Sequence, residues 1–95
     1  SASRWYADPV NPATVLVLGG YGAFGSRLVR LLAAAPGLAV LVAGRRLDAA
    51  QRLCASVGER AVPLALDRDA VPALEGVLRE RRPRVVVDAT GPFQG

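Results

Sequence analysis

Ninety-five residues, 52% hydrophobic and 21% charged, with no apolar run near the roughly 18 residues of a membrane span, describe one soluble globular domain. A domain this small buries only about two-thirds of the surface its unfolded chain exposes, which leaves room for one core and excludes a separate substrate lobe. The net charge is +4, and its 12 basic residues are all arginine, spread from Arg4 to Arg84 with only one Trp, two Tyr and two Phe, so a basic face with interleaved aromatics for nucleic acid is not expected.

Residues 1–12 read as a leader. Asp8-Pro9-Val10-Asn11-Pro12 is turn-rich, and with Ser1-Ala2-Ser3 and no methionine the start reads as non-native, which leads us to expect the amino-terminal piece of a larger protein. The ordered domain is expected over residues 13–95. Thr14 to Leu18 is a continuous apolar run rich in β-branched residues, the pattern of a strand covered on both faces. From Ala23 to about Ala34, Phe24, Leu28, Leu31 and Leu32 recur at helical spacing, with Arg27 and Arg30 on the other side. Pro36-Gly37 ends that helix, and Leu38 to Ala43 forms a second apolar strand.

A second helix is expected from Leu47, Ala50, Leu53, Cys54 and Val57, opened by Asp48 and stopped by Gly58. Cys54 reads as a small buried residue, without the partners a disulfide or zinc site needs, and no metal site is expected. Ala61 to Leu66 forms a third strand, interrupted by Pro63. Asp69 is positioned to cap a third helix, with Pro72 in its first turn, an apolar face of Val71, Leu74, Val77 and Leu78, and Pro83 closing it. The basic stretch from Arg79 to Arg84 suits the carboxyl end of that helix. Val85-Val86-Val87 is the fourth strand. Four strands alternating with three helices predict an α/β, doubly wound parallel sheet of partial extent in the order 3-2-1-4. Its ligand crevice opens at the carboxyl ends of the first and fourth strands.

That crevice is where the chemistry-bearing residues fall. Gly20-x-Gly22-x-x-Gly25 follows a predicted strand and opens a predicted helix, the context in which this spacing signals a dinucleotide. Gly20 is expected to permit the tight turn, Gly22 to admit the pyrophosphate close to the backbone, and Gly25 to let the helix pack tightly. The free N–H groups around Ala23 and Phe24 would face the anion. Gly19 adds a second register, Gly19-x-x-Gly22-x-x-Gly25, which fits short-chain dehydrogenase/reductases of the extended type, and the loop alone leaves the two open. An NAD site places a carboxylate at the end of the second strand. Here stand Arg45 and Arg46, and a guanidinium there grips the 2′-phosphate of NADP, so NADP(H) is the expected cofactor. Asp67, at the end of the third strand, is either an adenine contact or a turn residue. Asp88 is either a buried structural acid or a ribose contact, and Gly91-Pro92 would bring backbone close to the nicotinamide side.

Val15 to Gly25, Ala43-Gly44-Arg45-Arg46 and Val87 to Phe93 together resemble the N-terminal NADP-binding (Rossmann) domain of the saccharopine dehydrogenase family. The resemblance spans roughly residues 13 to 95. It implies an oxidoreductase that moves hydride between NADP(H) or NAD(H) and an amino-acid-derived imine, with substrate residues in a second domain. Carried over, Gly20, Gly22, Ala23, Phe24 and Gly25 hold the pyrophosphate and Arg45 and Arg46 the adenosine phosphate. Asparagine is common in the family where Asp88 stands, so an amide contact is not expected there.

On this reading the chain is catalytically incomplete by itself and cytoplasmic, with no membrane or nucleic-acid partner. A non-enzymatic NADP(H)-sensing or assembly module on the same fold is the competing class. The fourth strand would be an open edge, through which, or through apolar helix faces, a homodimer could form.

Overall fold

The computed structural model describes residues 13–67 and 69–89. The leader and the Thr90-to-Gly95 ending, Gly91 included, lie outside the described residues. Seven elements follow one another: β1 (Ala13–Leu18), α1 (Ala23–Ala34), β2 (Leu38–Gly44), α2 (Leu47–Val57), β3 (Ala61–Ala65), α3 (Val71–Arg81) and β4 (Val85–Asp88). The strands form one sheet in the order β3-β2-β1-β4, every pair parallel, as the alternation of strands and helices requires. Each element lies within a residue or two of its expected bounds.

Alternation along the two central strands divides the core in two. Val15 and Val17 of β1 and Val40 and Val42 of β2 point to one face, where they meet Val29 of α1 and Ala50, Leu53 and Cys54 of α2. Leu16, Leu18, Leu41 and Ala43 point to the other, with Leu66 and the half-buried Leu74 and Val77 of α3. This is why both strands read as unbroken apolar runs. Pro63 is accommodated because β3 is an edge of the sheet. Leu66 donates to the Gly44 carbonyl at 2.8 Å, so by alternation the even residues of β3 face β2 and position 63, which has no N–H, faces away.

Two helices depart from the expected faces. In α1 the buried residues are Gly25 and Val29, with Leu28, Leu32 and Ala33 half-buried beside them. Phe24 and Leu31 are 61% and 67% exposed, so they do not belong to the core. The rotation is set by Gly25, which presses on the loop after β1 and carries residues 29, 32 and 33 onto the sheet with it. In α3 only Leu74 and Val77 reach the core, while Val71 is 57% and Leu78 38% exposed. Its first residue follows Ala70, which has no side-chain cap, so Asp69 does not cap the helix as expected. Asp67 accepts the Asp69 N–H at 2.9 Å and organises the turn before α3. The last turn ends on Arg82, in the left-handed conformation (φ 46°).

Candidate functional site

The carboxyl edge of the sheet is tied together before any ligand arrives. Gly19 donates to Ala43 at 2.6 Å, Leu66 to Gly44 at 2.8 Å and Ala89 to Leu18 at 2.8 Å, so the chain segments leaving all four strands are held in register. The expected residues Gly20, Gly22, Ala23, Phe24 and Gly25 lie together on the loop and first turn after β1, Arg45 and Arg46 at the junction of β2 and α2, and Asp67 just past β3.

Within the glycine loop the tasks are shared differently from the expectation. The positive φ of the turn, 71°, falls on Gly19 and not on Gly20. What Gly20 supplies is room: a Cβ there would meet Val29 at 3.0 Å, Val17 at 3.1 Å and Val42 at 3.2 Å, the centre of the α1–α2 core. At Gly25 the approach is closer still. A Cβ would lie 2.7 Å from the Gly20 Cα and 2.8 Å from the Gly19 carbonyl oxygen, so the helix sits directly on the loop backbone. Gly22 is the N-cap of α1, with no side-chain cap and no acidic residue in the first turn.

The first-turn donors therefore have no side chain competing for them, and they carry the positive end of the helix dipole. Ser26 is already engaged, donating to Gly22 at 2.7 Å, which leaves the N–H groups at Ala23, Phe24 and Gly25 as the natural anion donors. A buried loop wall, close backbone approach and an uncapped helix start are what a pyrophosphate needs, and the residues present fit one.

The two arginines at the end of β2 are not equivalent. Both are exposed. Arg46 pairs with Asp48 at 3.3 Å, and Asp48 also accepts Arg52 at 3.1 Å. The Arg46 guanidinium, with a smaller contribution from the Ala49 N–H, holds the Asp48 carboxyl below its ordinary range. Arg45 takes part in no ion pair or hydrogen bond among the described residues, so its guanidinium is the one available to an incoming anion. Asp67 spends one carboxylate oxygen on the turn, and Asp88 is exposed at the end of β4 rather than buried. Cys54 is buried, and burial pushes its thiol up, away from nucleophilic use.

A residue without an expected role stands beside these. Tyr21, inside the glycine loop, packs against the α1–α2 core and lies over Gly44, where its ring fills the space a side chain would take. An aromatic inside a glycine loop is the signal in the sequence that could have found it. The partner could not be read, because the contact joins the loop after β1 to the end of β2.

No helix among the described residues is long and apolar enough to cross a membrane. No curated protein matches the chain. Among solved structures, saccharopine dehydrogenase (L-Glu forming) from Saccharomyces cerevisiae is 32% identical with a TM-score of 0.72, covering 86% of this chain and 17% of that one. Serine dehydrogenase from Escherichia coli is 30% identical with a TM-score of 0.62, covering 70% of this chain and 31% of its own. A 3-ketoacyl-(acyl-carrier-protein) reductase from Brucella melitensis complexed with NADH shares the fold at 22% identity and a TM-score of 0.59, covering 81% of this chain and 34% of that one. The chain thus spans a third or less of the length of these dehydrogenases. The family model for the saccharopine dehydrogenase NADP binding domain matches residues 15–95; of the two families compatible with the glycine loop, the chain belongs to this one.

Proposed function

We propose that this chain is the NADP(H)-binding part of an oxidoreductase, orienting the nicotinamide for hydride transfer to a substrate held outside these residues. The observation that carries it is the pairing of an uncapped α1 amino terminus with Arg45 at the end of β2, which has no partner among the described residues. The loop donors at Ala23, Phe24 and Gly25 bind the pyrophosphate, with Gly20 and Gly22 giving it access. Arg45 takes the 2′-phosphate, and Arg46, already committed to Asp48, adds charge without being the main ligand. Gly91, outside the described residues, is assigned to the nicotinamide-side ribose, and Asp67 offers its second carboxylate oxygen to the adenine amino group. The nicotinamide supplies the hydride chemistry when bound, and the protein supplies binding and orientation. The absence of a carboxylate at the end of β2 supports NADP(H) over NAD(H). A cytoplasmic setting goes with this reading.

A paired calorimetric titration with NADPH and NADH tests it. NADPH is expected to bind at least about tenfold more tightly, the preference collapsing in Arg45→Ala and falling less in Arg46→Ala, since one charge-assisted contact carries about 1.5–3 kcal/mol. Equal affinity for the two nucleotides in the wild type sinks the NADP assignment, and no binding of either to folded protein sinks the dinucleotide reading.

A further inference from the structure

Tyr21 lies in the glycine loop, yet pyrophosphate binding there uses backbone and gives its side chain no task. The ring is half-buried against the α1–α2 core and reaches across to the next strand. A Cβ built on Gly44 would overlap the ring, 2.7 Å from the Tyr21 Oη and 2.9 Å from its Cζ. Gly44 is the last residue of β2, and by alternation its missing side chain would point to the same face as Val40 and Val42. The ring therefore occupies the place of a β2-terminal side chain, and its hydroxyl is delivered to the strand end from which Arg45 departs. That hydroxyl has no partner among the described residues.

We infer that Tyr21 is a specificity-determining residue for the adenosine half of the cofactor, its phenolic O–H donating to the 2′-phosphate beside the Arg45 guanidinium. The inference rests on the NADP(H) reading above. In a site selective for NAD, the end of β2 supplies a carboxylate, an acceptor suited to ribose hydroxyls. Here Arg45 and Arg46 follow the strand instead, and the Tyr21 hydroxyl at the strand end can donate to an anion, while Gly44 lacks the side chain that would displace it. A hydrogen bond to a charged phosphate oxygen is stronger than one to a neutral ribose hydroxyl, so the contact discriminates between the two nucleotides.

The test uses the adenosine halves alone, 2′,5′-ADP and 5′-ADP, titrated into the full-length protein. Tyr21→Phe keeps the ring on Gly44 and removes only the hydroxyl. Its affinity for 2′,5′-ADP is expected to fall about tenfold and its affinity for 5′-ADP several times less. Gly44→Ala displaces the ring from the strand end and is expected to weaken 2′,5′-ADP at least as much, with circular dichroism reporting that the variant is folded. If wild type prefers 2′,5′-ADP and Tyr21→Phe keeps the full preference, the role of Tyr21 is refuted while the NADP(H) reading stands. If wild type fails to prefer 2′,5′-ADP, the NADP(H) reading falls and takes this inference with it.

Discussion

A methyl group on Gly25 would sit 2.7 Å from the Gly20 Cα and 2.8 Å from the Gly19 carbonyl oxygen, both of them backbone atoms with no rotamer to change. Gly25→Ala is therefore expected to push α1 off the loop, costing about 1–3 kcal/mol of stability in urea unfolding and weakening dinucleotide binding along with it. Another single residue adds a small part to the acid limb of stability. Asp48, held below its ordinary value of 3.8 chiefly by Arg46, contributes stability that is present above that value and is lost as pH falls through its lower folded value. The pair is exposed, so the contribution is small and screened by salt. Urea midpoints measured from about pH 5 down to about pH 2 are expected to fall less steeply in Asp48→Asn than in wild type. Gly25 and Arg45 were legible in the sequence because their signals are local: fixed spacing after an apolar run, and a cation at a strand end. The Asp67 turn was legible only as one of two alternatives, and the Tyr21 contact with Gly44 was not legible at all. One turns on which way a carboxylate oxygen points, the other on the register of β1 against β2.

The helices show how hydropathy can miss a rotation. Phe24, Leu28, Leu31 and Leu32 form a plausible stripe on α1, but the helix turns on Gly25, a residue with no side chain for a hydropathy pattern to register. Val29, fully buried, is the consequence. Val29→Ala is expected to cost about 2 kcal/mol, whereas Phe24→Ala is expected to stay within about 0.5 kcal/mol in thermal unfolding, the opposite of their sizes. At the other end of the molecule, Arg82 closes α3 with a φ of 46°, a conformation that costs an L-residue energy and a glycine almost none. Arg82→Gly is expected to stabilise the chain by about 0.5–1 kcal/mol in the same measurement. Strand positions were read more reliably than helix faces, because β1 and β2 are buried on both sides and no choice of face had to be made.

Across the whole molecule the two faces of the sheet are covered unequally. Among the described residues one carries α1 and α2 with their buried residues, the other only α3, which has none. At the edge of the described sheet, β4 exposes Val85 and Val86 at 49% and 46%. Two apolar residues on an open strand are an invitation to pair, and the chain on its own is expected to self-associate in sedimentation equilibrium, with Val86→Lys shifting it toward monomer. Persistent monomer at high concentration would count against that edge as a contact. The parallel order and the crevice position were legible from the alternation of elements alone, since right-handed crossovers leave few other arrangements.

The thinness of the α3 face also sets a clock. A helix with no buried residue can lift away and return without the central strands parting, so its amide protons trade with solvent through brief local openings. Those of β1 and β2, sealed between the two cores, wait for the whole domain to come apart. In deuterated buffer the protein should therefore label in two waves, α3 first and the paired central strands last. A nucleotide seated across the loop after β1 and the end of β2 should slow the second wave far more than the first.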